Sequence, residues 1–301
     1  MAGVNKHMMS IPDLQEMARQ IRRDIIKMLM ISQSGHSGGP LGLADIFASL
    51  YFRIMKFDSK NPSWPERDFF FLSAGHLAPV WYSALARAGF YPIREMETLR
   101  KINTRLQGHP APGYTHGLPG IEIASGSLGQ GMSIAVGCAL GLRLDSKPNH
   151  VYVLHGDGEL DEGQVWEGIM TAGHYNLENL TAIVDRNFCQ IDNRTDKVME
   201  LEPLADKWRA FRWNVIECDG NNVEGFLNAM EKARNFKGKP SVVIAKTFMG
   251  RGVSFMEDDY RWHGVPPSIE QGKQALGELP PTRFGDFIEF EWEKSAPVLA
   301  K

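Results

Sequence analysis

Between Val151 and Lys246 the chain alternates short apolar, β-branched runs with segments of helical spacing. Runs at 151–155, 180–185, 214–218 and 241–246 read as strands, while 162–175 and 223–236 read as helices. Short apolar strands separated by helices build parallel βαβ units. The expected fold is therefore α/β, a doubly wound, mostly parallel sheet flanked by helices.

Upstream, the spacing predicts a helix over 10–34, with Ser10 as its cap, Asp13 in its first turn, and Leu14, Met17, Ile21, Ile25 and Met28 on one face. Gly35 ends it. A second apolar helix follows the glycine-rich "GHSGGP" loop. "RDFFFLSAGH" reads as a short buried strand running into a polar loop, followed by a helix over 77–88. Residues 103–128 carry Gly, Pro and His without periodicity, and so long an ordered loop in a compact domain is often functional. "GSLGQGMSIAVGCALGLRL" places glycines at the start of a helix rich in small residues. After "WHGVPPS" one more short helix is expected, so that 1–280 form one domain and 281–301 a charged, aromatic tail.

Composition narrows the partners. A formal net charge of −3 and a pI near 6.3 give no electrostatic reason to expect nucleic acid or an acidic membrane. Cys138, Cys189 and Cys218 are odd in number and far apart, which suggests reduced thiols in a cytoplasmic protein rather than disulfides or a zinc site. The first twenty residues hold no continuous apolar run, so no secretory signal is expected.

In open parallel sheets, ligands collect beyond the carboxyl ends of the strands. Asp157, in Gly156-Asp157-Gly158, and Asn187 each follow a strand, and a right-handed crossover sets two such ends side by side. A carboxylate and an amide oxygen are hard donors suited to Mg²⁺ or Ca²⁺, but too few to hold an ion without phosphate oxygens, a main-chain carbonyl and water. The alternative is a plain turn, with glycine supplying positive φ and Asp bonding the turn. The loop Gly126–Gly131 has two readings as well: helix-start N–H groups aimed at a diphosphate, or close helix packing. His36, His76, His109, His116 and His263 all fall in loops at or near glycines, either as turn-bonding residues or as imidazoles gathered for hydrogen bonding and proton transfer.

Taken in order, these segments resemble the transketolase family of thiamine diphosphate enzymes. The Gly-Asp-Gly triplet with an Asn after the next strand is similar to the family's cofactor signature. GHSGGP resembles its GHPGxP loop, SAGH its S-x-GH loop, "LPGIEIASGSLGQG" its glycine segment, and "AKTFMGRGVSFMED…WHG" a later loop. The resemblance implies that Asp157, Asn187 and the carbonyl of Cys189 hold the divalent ion, Mg²⁺ or Ca²⁺. It implies that Gly126, Leu128 and Gly158 line thiamine diphosphate, with His76, Lys246 and His263 on the diphosphate side. His36, His109 and His263 would surround the reacting sugar. Glu162 and Glu167 would lie at the contact between subunits, where otherwise they would be helix-surface acids. After Gly-His-Pro at 108–110 the chain departs from the family, inserting "APGYTH" where a Glu and a shorter loop are common.

The resemblance covers the diphosphate-binding domain only. It implies the N-terminal subunit of a split transketolase, in a heterotetramer of two chains of each kind, with a separate C-terminal chain supplying the aminopyrimidine site and its activating glutamate. The expected reaction, of the kind found in the pentose phosphate pathway, moves a two-carbon ketol unit from a ketose phosphate to an aldose phosphate. The competing expectations are the α subunit of a 2-oxo acid dehydrogenase, a deoxyxylulose-phosphate synthase relative, and a noncatalytic assembly subunit.

Overall fold

A computed structural model describes residues 8–112 and 117–290. Five strands, β1 Phe69–Leu72, β2 Val151–Gly156, β3 Leu180–Arg186, β4 Asn214–Asp219 and β5 Ser241–Lys246, form one sheet in the order β1-β2-β3-β5-β4. Every pairing is parallel. The helices are α1 Ile11–Ser32, α2 Gly38–Gly42, α3 Ala44–Ser49, α4 Ala78–Arg87, α5 Gln130–Leu144, α6 Gly163–His174, α7 Thr195–Val198, α8 Leu204–Ala210, α9 Val223–Asn235 and α10 Ile269–Glu278. The doubly wound parallel sheet read from the sequence is thus present.

The two faces of the sheet bury two separate cores. On one, α1, α3, α4 and α9 pack against Phe70, Leu72, Tyr152, Leu154, Ile183 and Val243. On the other, α5, α6 and α8 cover Val151, Val153, Ala182, Val184, Val242 and Ile244. This division follows from handedness: β2 to β3 and β3 to β4 advance in one direction, whereas β4 to β5 returns. Right-handed crossovers therefore place α6 and α8 on one face and α9 on the other. Strand β3, covered on both sides, is buried throughout, while edge strand β4 remains partly open.

The same rule positions a crevice. Segments leaving β1 and β5 turn to the α1 face, and those leaving β2 and β3 turn to the α6 face. The chain parts between them at the carboxyl edge, the place where ligands enter such sheets.

Helix α1 starts as expected, with Ser10 and Asp13 bonded in a capping box. It departs from expectation on its polar side, where Gln20, Arg22, Arg23, Asp24 and Lys27 are all buried. Residues 282–290 cover Gln20, Arg23 and Lys27, while Arg22 pairs with Asp45 and Asp24 with Arg87. Asp286 pairs with Arg23 and, at 2.9 Å, with Lys27, and Arg87 donates to the carbonyls of Phe284 (3.1 Å) and Gly285 (2.9 Å). Among the described residues no helix is long and apolar enough to cross a membrane.

Candidate active site

A cavity of about 400 Å³ opens in the crevice, lined by residues from the ends of β1, β2 and β3 and from the loops at His36, His109, Gly126 and His263. Parallel register aligns its floor. Gly156 stands opposite Asp185, so Asp157 and Asn187 emerge from neighbouring strand ends.

Asp157 is buried and fully engaged. Its Oδ2 accepts from the main-chain N–H of Phe188 (2.7 Å) and from Arg186 Nη1 (3.0 Å), and its Oδ1 from Gly158 N–H (2.8 Å). Asn187 donates to Asp185 Oδ2 (2.7 Å), and its Oδ1 accepts from Cys189 N–H (2.9 Å). Thr247 Oγ1 donates to the other oxygen of Asp185. Burial pushes Asp157 up to about 6 against the pull of Arg186 and its hydrogen bonds. Burial likewise raises Asp185 to about 7, opposed by the Thr247 bond and reinforced by the Asp157 charge. The guanidinium that pairs with Asp157 is itself divided, since Arg186 also pairs with Glu202 (3.0 Å). The Cys189 thiol, raised to about 12 by burial, stays protonated near neutral pH. Among the described residues no three His, Cys, Asp or Glu side chains are placed to hold a metal. Any ion here needs further ligands.

Above this floor stand three imidazoles. Ring centroids of His36 and His76 are 5.0 Å apart, those of His76 and His263 5.1 Å, and those of His36 and His263 5.6 Å. His109 reaches the same cavity from the loop before α5. A Cβ on Gly126, whose φ is +149°, would lie 3.1 Å from the His109 ring, so the bare backbone lets that histidine approach. Burial lowers His36 to about 4 and His76 to about 3, with repulsion from neighbouring histidines adding to it. His109 and His263 are lowered for the same first reason. All four are therefore neutral near pH 7. Nδ1 of His36 and of His263 are buried without a hydrogen-bond partner.

The glycine loop before α5 fits the second of its two readings. The N–H of Gly129 donates to Glu159 Oε1 (2.7 Å) and that of Gly131 to Ser73 Oγ (3.1 Å), while Ser73 in turn bonds Glu159. These donors are already satisfied by side chains of the protein itself, so the close-packing reading holds for this helix start. A Cβ on Gly131 would meet Ser73 Oγ at 2.4 Å. The cavity instead meets this loop at Gly126 and Leu128.

Of the residues singled out from sequence, His36, His76, His109, Gly126, Leu128, Asp157, Gly158, Asn187, Cys189 and His263 line the one cavity. Lys246 does not. It is exposed and lines a neighbouring cavity with Phe188, Arg194 and Asp219. The next residue back, Ala245, faces the core that Ile183 also faces, and strand alternation turns Lys246 to the opposite side. Glu162 and Glu167 are exposed before and on α6, and Met170 of the same helix is exposed as well (55%). His116 lies outside the described residues. Sequence reasoning did not single out Glu159, Asp185 or Arg186 as site residues, although each is next to or two residues from one that it did.

This fold, with a Gly-Asp-Gly turn and an Asn at adjacent strand ends beneath clustered histidines, defines a cofactor domain of the thiamine diphosphate class. Comparison with known proteins makes that narrower. Residues 14–289 match the family "Transketolase, thiamine diphosphate binding domain". The 6-deoxy-6-sulfo-D-fructose transketolase subunit of Clostridium sp. (strain MSTE9) is 44% identical over 267 residues, 89% of this chain and 96% of that protein. An apulose-4-phosphate transketolase subunit of Actinobacillus succinogenes is 39% identical over 277 residues, covering 92% and 99%. Crystalline transketolase from Campylobacter jejuni superposes with a TM-score of 0.85 at 32% identity, covering 96% of this chain but only 46% of that one. The chain belongs to the transketolase family, of whose cofactor it carries the binding domain. These relatives do not favour a 2-oxo acid dehydrogenase.

Proposed function

We propose that this chain is the diphosphate- and metal-binding subunit of a two-chain transketolase. The observation that carries the reading is the cluster of neutral His36, His76 and His263 directly above the Asp157–Asn187 floor. Full-length coverage of relatives named as subunits, against less than half of a single-chain transketolase, supports a second chain. That chain would bring the aminopyrimidine side and its glutamate, in an α2β2 assembly. Glu162 and Glu167, both exposed and close in sequence to the exposed Met170, would lie at the contact between subunits.

The donor set fits the cofactor and its ion. Asp157, Asn187 Oδ1 and the Cys189 carbonyl would ligate Mg²⁺ or Ca²⁺, relieving the repulsion between Asp157 and Asp185. His76 would meet the diphosphate, with Gly126, Leu128 and Gly158 beside it. When bound, thiamine diphosphate supplies the electron sink for moving two carbons between sugars. The protein's own part is proton handling and positioning. His36 and His263 line the cavity that would take the donor's hydroxyls and carbonyl, and His109 approaches from the facing loop. Because all three are neutral, each accepts a proton from a hydroxyl and returns it to a carbonyl oxygen within one turnover.

Donor and acceptor are a ketose and an aldose with an anionic end, phosphate as the starting expectation. One relative's name specifies a sulfo-sugar, so a 6-sulfonate ketose belongs in the panel. The test is ketol transfer by this chain with thiamine diphosphate and Mg²⁺, alone and with its candidate C-terminal partner. Transfer is expected only with both chains. Turnover by the single chain would overturn the two-chain reading, and silence of the pair with every donor would overturn transketolase activity.

A further inference from the structure

We propose that Arg100 is a positioning residue that clamps the loops carrying His36 and His109 into a single unit; the inference rests on the transketolase reading for the role of those histidines. The guanidinium sits between two glycine backbones. A Cβ on Gly108 would fall 2.9 Å from Arg100 Cζ and 3.1 Å from its Nη2, and one on Gly35 would fall 3.6 Å from its Nε. Each of these glycines directly precedes one of the histidines. On the Gly35 side the contact is completed by a hydrogen bond, Arg100 Nη1 donating to Ser34 Oγ at 3.1 Å.

Three features set this arginine apart from an ordinary surface cation. It is partly buried and has no carboxylate partner among the described residues. Its own backbone is left-handed, with φ +58°, a conformation that non-glycine residues hold only where surrounding structure enforces it. Here the enforcing contact is its N–H donating to Leu106 O at 2.7 Å, which closes the turn leading into Gly108-His109. Turn, guanidinium and histidine loop are thereby one rigid piece.

The geometry asks for arginine in particular. A planar guanidinium offers two flat faces and a fork of donors, so it can rest against both glycines while bonding Ser34. A lysine ammonium is a single point that reaches one side. The charge acts in the same sense as the packing. Burial is the first cause of the lowered His36 and His109 values, and Arg100 repels the protonated form of both. The other charged or titratable neighbours of His36 are His76, His263 and His109, and no acid offsets the arginine there among the described residues.

The test uses Arg100→Ala, Arg100→Lys and Gly108→Ala in the two-chain enzyme with thiamine diphosphate and Mg²⁺. Each should lower kcat at least tenfold while the affinity for thiamine diphosphate, anchored elsewhere, stays within twofold. Gly108→Ala leaves the charge in place and displaces the guanidinium, and with Arg100→Lys it decides the matter should Arg100→Ala not fold. A second readout is independent of turnover: histidine ¹⁵N NMR titration of the chain. Arg100→Ala should raise the pKa of His36 and His109 together and leave His150, at the amino edge of the sheet, unchanged. Wild-type kcat in Gly108→Ala and Arg100→Lys, or an imidazole response confined to one histidine, would overturn the clamp. A paired imidazole response to Arg100→Ala, together with a wild-type complex that shows no ketol transfer, would instead uphold the clamp and remove the transketolase reading.

Discussion

A buried carboxylate needs a counter-charge, and Asp157 shares the Arg186 guanidinium with Glu202 while facing Asp185. That imbalance is what a divalent ion would correct. Asp157→Asn should therefore weaken Mg²⁺-dependent thiamine diphosphate binding by more than the 10- to 100-fold (roughly) typical of residues behind the ligands. It should not destabilise the cofactor-free chain, because it removes one of two repelling buried charges. Calorimetric titration of cofactor in excess Mg²⁺, beside a urea melt without it, separates the two effects. The Asp and Asn were legible because each follows a strand whose apolar run is plain. Lys246 also follows a strand but lines the neighbouring cavity, because its side depends on strand alternation relative to Ala245, which the end of an apolar run does not reveal. Glu159 was not legible at all. It becomes meaningful only when Ser73 and Gly129 arrive from two separate segments to meet it.

Among the elements, α5 shows how a helix start can be claimed from within. Its first N–H groups carry partial positive charge and attract anions, and Glu159 takes that role permanently. The carboxylate, held below the usual range by His155 and its hydrogen bonds despite burial, also bonds Gly156 N–H and so ties the glycine loop to the strand that presents Asp157. Glu159→Ala leaves Gly129 N–H and Ser73 Oγ without their partner, at a cost of about 1–3 kcal/mol for each buried group left unsatisfied. Glu159→Gln retains an acceptor and should lose less. Both should loosen Gly126 and Leu128, so urea midpoints and cofactor affinity are expected to fall in parallel, alanine further than glutamine. Unchanged affinity in a destabilised Glu159→Ala chain would show that the tie serves folding alone. Long periodic helices such as α1 and α9 were readable from sequence. The short α7 and α8 were not, because 4 and 7 residues are too few to display a period.

On the scale of the whole molecule, residues 282–290 pack along α1. Periodicity assigns α1 one apolar face, yet the opposite side is buried too, because residues up to Phe290 lie along it. Asp286 is the centre of that contact, accepting from Gln20 (3.0 Å) and Arg23 (2.8 Å) and pairing with Lys27 (2.9 Å). Burial alone would raise its carboxyl, but the bonds to Arg23, Lys27 and Gln20 win and hold it well below the usual carboxylate range. A carboxylate depressed in the folded state contributes stability that is present above its unfolded pKa, about 3.9, and is lost as pH falls towards the folded value. Asp286→Asn removes the charge at every pH and with it the buried ion pairs to Arg23 and Lys27, a change that costs roughly 3 kcal/mol at neutral pH. The variant should therefore unfold at lower urea than the wild type at pH 7, with a gap that narrows steadily once the pH drops below about 4. A gap that stayed constant into acid would mean that the packing of the segment, and not the Asp286 charge, holds it against α1.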